Sequence, residues 1–170
     1  MVQIEPADPG DVESIESVLR AAFDDGPEAE LVAVLREDNT LRVGCSTVAR
    51  AGDDIVGYSA VSSAEIDGAP AVELAVLGPV GVLPDHQGQG IGTALVRSTL
   101  RACKRSGCDA VVLTGDPAFY DRFGFEPAAA YDLESDLDSP PNAFQVWPCW
   151  PGALDGVGGL VRHPTPFHAL

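Results

Sequence analysis

The chain has almost no lysine. Lys104 is the only one, and 10 basic residues face 26 acidic ones for a formal net charge of −16. Nucleic-acid binding draws on lysine and arginine contacts to phosphate, so this balance argues against it. Long apolar runs are missing too, and no stretch reaches the length needed to cross a bilayer. The first residues, M-V-Q-I-E-P-A-D, lack the charged and apolar segments of a secretory signal, so a cytoplasmic protein without a membrane partner is expected. The four cysteines, Cys45, Cys103, Cys108 and Cys149, form no C-x-x-C pair. That spacing offers neither a dithiol motif nor a cysteine metal site, so reduced buried thiols and no metal are expected. The acidic residues are scattered along the chain. Scattered Asp and Glu with so little lysine reads as adaptation to a high-salt cytoplasm with an acidic proteome, a halophilic signature. An acidic surface that attracts a cationic partner is the rival reading.

What is present describes a folded domain. At 170 residues and 45% apolar content the chain is one domain, residues 1–170, able to bury a full core. Val2–Glu5 reads as a short strand. Asp8-Pro9 then sets a capping residue before a proline at the first helical position, and apolar residues at helical spacing predict a helix over 9–22. A second helix is predicted over 27–36. Leu41–Ala49 and Ile55–Ile66 read as strands joined by a turn at Ala51–Asp54, and Ala71–Leu83 as a third strand. Gly78-Pro79 interrupts that third strand, because proline cannot donate to a sheet ladder. The clearest helix covers 90–105, followed by a buried strand at Asp109–Thr114 and a brief helix at Pro117–Phe123. Beyond residue 128 the pattern weakens: Phe144–Trp150 is a candidate strand, and 151–166 reads mostly as turns.

The most informative stretch is Leu83–Thr93, L-P-D-H-Q-G-Q-G-I-G-T. Gly88, Gly90 and Gly92 let the backbone turn sharply just where a helix begins. The helix start adds unpaired N–H donors and the positive end of its dipole, which together seat a phosphate or pyrophosphate. A P-loop would need a lysine after the glycines, and none follows. A dinucleotide fingerprint would need glycine at position 93 or 95, where Thr93 and Leu95 stand. The pattern Q-x-x-G-x-G fits, as Gln87-x-x-Gly90-x-Gly92.

With that loop, the stretch L-G-P-V-G-V-L-P-D-H-Q-G-Q-G-I-G-T-A-L-V and the later G-D-P-A-F-Y-D-R-F-G-F-E-P resemble the GNAT superfamily of N-acetyltransferases, nearest its YhbS-like subgroup. The match spans about residues 74–127. The resemblance implies an α/β fold of the α+β type: a central mixed, mostly antiparallel twisted sheet flanked by about four helices. Two of its strands splay apart to form the cleft for acetyl-CoA. The coenzyme-binding core would cover about 71–127, with C-terminal strands and turns over 128–170. Carried over, the pyrophosphate donors are the N–H groups of Gln87, Gly88, Gln89, Gly90, Ile91 and Gly92, with a hydroxyl from Thr93. The pantetheine arm would pair like a strand with Val80, Gly81 and Val82.

The implied activity is direct acetyl transfer from acetyl-CoA to a primary amine in a ternary complex, with no metal. The acceptor would be a small-molecule amine or a protein amine, and homodimers are frequent in such folds. The reaction needs an amine stripped of a proton, a donor to the oxyanion and an acid for the departing thiolate. The resemblance assigns the acid to Tyr120 and carbonyl polarisation to backbone N–H near Val82. Glu73, near the start of the third strand, is the candidate general base, with Glu65, Asp116 and His86 as rivals. His86 precedes the loop and is expected to cap it. His163 and His168 fall in the weakly patterned tail and are expected at the surface. Trp147 and Trp150 are candidates for an apolar wall of the acceptor site, with core packing as the rival. Cys149 is expected to be a buried thiol and not an acyl carrier. One departure from the family pattern stands out: many members carry an asparagine about seven residues before the tyrosine, where this chain has Leu113. The alternative activity is none at all: an idle acyl-CoA-binding or regulatory module on the same fold.

Overall fold

A computed structural model describes residues 1–170. The elements in chain order are β1 (Val2–Pro6), α1 (Val12–Ala22), α2 (Glu28–Glu37), β2 (Thr47–Ala51), β3 (Asp54–Ile66), β4 (Leu74–Val82), α3 (Ile91–Arg105), β5 (Ala110–Thr114), α4 (Pro117–Tyr120), β6 (Glu126–Pro127), β7 (Leu133–Ser135), β8 (Phe144–Pro148) and β9 (Gly159–Arg162). Short 3-10 turns fill several connections, including Pro9–Asp11, which leads into α1, and Thr165–Ala169 near the end. The sheet runs β1-β2-β3-β4-β5-β8-β6, with β9 pairing both β3 and β7 off this path. All pairings are antiparallel except β4 with β5 and β7 with β9. The fold is the mixed, mostly antiparallel sheet with four helices that the resemblance implies.

Alternation along the central strands builds two cores. Leu74 and Val76 of β4 pack with Ile15, Leu19 and Leu35 of α1 and α2, while Ala75 and Leu77 pack with Val96 and Leu100 of α3. Side chains of period two on a strand meet helices of period 3.6 on both faces, so β4 is buried from both sides. Helix α3 turns Leu95, Val96, Thr99, Leu100 and Cys103 inward, leaving Arg97, Arg101, Lys104 and Arg105 outward. All four cysteines are free and buried.

Two stretches differ from what the sequence pattern predicts. The stretch expected as Leu41–Ala49 becomes a strand only at Thr47; before it, one bridge joins Leu41 to Ser62 and turns follow. Gly44 and the side chain of Ser46, which accepts Val61 N–H, take that segment out of the ladder. The predicted turns of 151–166 contain a strand, β9, because Leu160 and Val161 find partners far away in sequence.

Candidate active site

The glycine-rich loop leaves β4 and ends at α3. A 3-10 turn, Pro84–His86, redirects the chain, and Gly88 and Gly90 then take φ values of 75° and 82°. Side-chain-bearing residues resist that left-handed region, so glycine is needed there. The first main-chain bond into the helix runs from Ala94 N–H to Gly90 carbonyl at 3.1 Å. The six N–H groups from Gly88 to Thr93 therefore have no acceptor within the chain. A row of unpaired donors at the positive end of a 15-residue helix attracts a phosphate-bearing group. Gln87 differs from the other loop residues. Its N–H goes to the Pro84 carbonyl at 3.4 Å, and its side-chain Nε2 donates to the Val82 carbonyl at 3.0 Å. It braces the loop against the end of β4 and does not offer a free donor. His86 keeps a buried Nδ1 without a partner.

Beside this loop, β4 parts from β5. The two pair only at Leu74–Ala110, Ala75–Val111 and Val76–Val112. From Leu77 onward β4 follows β3 alone, with a register shift opposite Ser59–Val61 where Gly78-Pro79 sits. Beyond Val112, β5 follows β8. The residues Leu77–Val82 thus have an unpaired side facing the gap, and Val80, Gly81 and Val82 lie along it. α1 crosses over the same stretch so closely that a Cβ on Gly81 would lie 3.1 Å from the Phe23 ring.

Tyr120 stands across the gap. Asp116 caps α4 by accepting Ala118 N–H at 2.9 Å, and the ring then packs edge-on against Phe119 and Phe125 with centroids 4.9 and 5.9 Å away. Burial pushes its phenol above the usual value, and no group in the chain hydrogen-bonds it. A cavity of about 620 Å³ joins this tyrosine to Val76–Val80 of β4. Its other wall is Phe23 and Leu31 from α1 and α2, and its base is formed by Asp136, His163 and His168.

Several expected residues lie elsewhere. Glu73 sits before β4 at the end where the strand still pairs with β5, held by reciprocal bonds with Asp109. Its carboxylate is 3.5 Å from Arg42 and 64% exposed. Six residues of strand separate it from Pro79, roughly 20 Å at ~3.3 Å per residue. Glu73 does not line the cavity, nor do Glu65, Asp116 and His86. Trp147 packs beside Gly124, and Trp150 donates to Asp109 at 3.3 Å, so neither forms the acceptor wall. Burial pushes the Cys149 thiol up to about 12, which leaves it inert as a nucleophile.

The histidines of the tail are the residues that pattern reading missed. His163 is 7% exposed, not a surface group, whereas His168 is exposed as expected and also lines the cavity. The strand β9 carries the explanation. Its parallel register with β7 sets Ser135 opposite Val161, which leaves Asp136, the next residue, within reach of His163 two positions beyond Val161. The only sequence signal was the short apolar run Leu160-Val161 between Gly159 and Pro164.

Comparison with known proteins agrees with this architecture. The acetyltransferase (GNAT) domain profile matches residues 42–127. The uncharacterized N-acetyltransferase YhbS of Escherichia coli K12 is 38% identical over 160 residues, covering 94% of this chain and 95% of its own. The crystal structure of E. coli YhbS in complex with CoA superposes with a TM-score of 0.89 at 36% identity, covering 98% of this chain and 91% of that one. A GNAT family acetyltransferase from Brucella melitensis, in complex with acetyl-CoA, gives 0.80 at 32% identity with 98% of each chain covered. With likeness of that degree across nearly its full length, the chain belongs to the GNAT family of acetyltransferases.

Proposed function

We propose that this protein transfers an acetyl group from acetyl-CoA directly to a primary amine, in a ternary complex. The observation that carries the reading is the row of six free N–H groups at the head of α3, which follows a strand edge opened at Gly78-Pro79 whose residues Val76–Val80 line one cavity with Tyr120. The pyrophosphate fits the donors from Gly88 to Thr93, including Gln89, Ile91 and Gly92. The pantetheine arm fits the unpaired side of Val80, Gly81 and Val82. Acetyl-CoA supplies an activated thioester. Tyr120 keeps its proton at neutral pH because it is buried, and it can hand that proton to the departing sulfur. A backbone N–H near Val82 can polarise the carbonyl. We place the protein in a high-salt cytoplasm on the strength of its charge.

The test is release of free thiol from acetyl-CoA in the presence of a panel of primary amines. Tyr120→Phe is expected to lower kcat by about 10²-fold or more while calorimetry shows unchanged CoA affinity. Full turnover in Tyr120→Phe would remove the acid role. Tight CoA binding with no thiol release from any amine would favour an idle binding module.

A further inference from the structure

An amine acceptor arrives as an ammonium ion and must lose a proton before it can attack. Glu73 is out of reach. Besides Tyr120, the titratable groups around the cavity are Glu28, Asp136, Asp138, His163 and His168, and no lysine or arginine lines it. Three of them form a chain. Asp136 takes a bond from His163 Nδ1 at 2.7 Å through one oxygen and from His168 Nε2 at 2.9 Å through the other. The backbone N–H of His163 donates to both oxygens at 3.2 Å. Burial disfavours the charged carboxylate, but these donors outweigh it and hold Asp136 below its ordinary value. An ionised carboxylate has no proton to give. Both imidazoles must therefore be the donors, which fixes their tautomers. His168 is left with a lone pair on Nδ1.

The two imidazoles differ in surroundings. The side chain of His163 is 1% exposed and sits between Phe144 and Phe167, each 5.7 Å away between ring centres. Burial lowers its basicity, so it stays neutral and anchors Asp136. The side chain of His168 is 44% exposed and opens on the cavity.

We propose that this cavity is the acceptor site for a primary alkylammonium and that His168 Nδ1 takes its proton. Asp136 and His163 are positioning residues. The proposal rests on the acetyl-transfer reading above. Charge in the cavity fits the substrate: Glu28 from α2 and Asp138 beyond β7 present carboxylates to a cation, while Phe23, Leu31 and Phe167 receive an apolar stem. A substrate carrying its own carboxylate beside the amine meets like charge there. Arg162, next to His163 in the chain, is paired with Asp67 at 2.9 Å, and Tyr120 faces the cavity from α4. In the step itself, one ammonium proton passes to His168 Nδ1 and then to solvent. The amine lone pair forms the N–C bond while the C–S bond breaks, with its electron pair going to sulfur. Tyr120 protonates the sulfur and regains a proton from the second N–H of the acceptor.

The experiment uses the full chain, acetyl-CoA, and three probes: hexylamine, 1,4-diaminobutane and leucine. Wild type should release thiol with the two alkylamines faster than with leucine. His168→Ala and His168→Gln should lose about 10²-fold in kcat/KM, with CoA affinity and melting unchanged. Free imidazole should restore part of the rate to His168→Ala. Asp136→Asn should lower kcat/KM in the same direction, and Asp136→Glu should keep more of the rate, because a carboxylate can still accept from His168 Nε2. If His168→Ala keeps the wild-type rate, or loses rate with no rescue by imidazole, the assignment to His168 is wrong. A preference for leucine would overturn the substrate class. No thiol release by wild type with any amine would sink the transfer reading and this one with it, whereas an active wild type with an indifferent His168→Ala sinks only this one.

Discussion

Gly115 and Tyr120 are five residues apart and in contact. A Cβ on Gly115 would lie 2.6 Å from Cε2 of the tyrosine ring, closer than any relaxed packing permits. Gly115→Ala must therefore displace the Tyr120 ring, which we propose carries the acid. We expect it to lose about 1–3 kcal/mol of stability and to lower kcat more than it changes CoA affinity, measured by chemical denaturation and calorimetry. Tyr120 was legible because its neighbours in the chain, Phe119, Phe123 and Phe125, also pack against it in space. Glu73 was not legible in the same way. Its place near the start of a strand was read correctly, but the gap opens only after Val76, at the strand's other end. His163 and His168 show the opposite failure. Nothing near them in the chain announces Asp136, which lies 27 and 32 residues away.

The head of α3 was the clearest element in the sequence, since its glycines, its capping position and its apolar face all lie within one stretch of chain. Gly90 is the capping residue, in the left-handed region at φ 82°. A Cβ there meets no neighbour, so the effect of Gly90→Ala comes from backbone conformation alone. We expect a stability loss of about 1–2 kcal/mol in a melting experiment. Because the donors from Gly88 to Thr93 would shift together, CoA affinity should fall by about tenfold. β9 was the element missed. It has four residues, alternates poorly, and exists because β3 is long enough to pair β4 along most of its length and β9 at its end. The irregularity at Gly78-Pro79 was predictable from proline's missing donor. Which neighbour would peel away from it was not.

The molecule as a whole carries 16 more acidic than basic residues, so most carboxylates have no cation to pair with. The ion pairs that form gather at a few places, such as Arg50 with Glu5 and Asp11. The remaining charges repel over a distance set by salt, about 10 Å at 0.1 M and about 3 Å at 1 M. We expect the melting temperature to rise as KCl increases from about 0.1 M toward molar concentration. A flat or falling curve would remove the high-salt reading.

Local chemistry wrote the phosphate seat, the helix it heads, the break in β4 and the tyrosine into the sequence. Each depends on residues a few positions apart, and the conformational limits of glycine and proline act over that range. The cavity that we propose for the acceptor came from tertiary structure. A parallel pairing of two short strands brought Asp136 to His163, a terminal turn brought in His168, and the divergence of β4 from β5 decided which end of the strand faces the reaction. Such pairings are set by burial across the whole sheet, and no stretch of chain contains both partners.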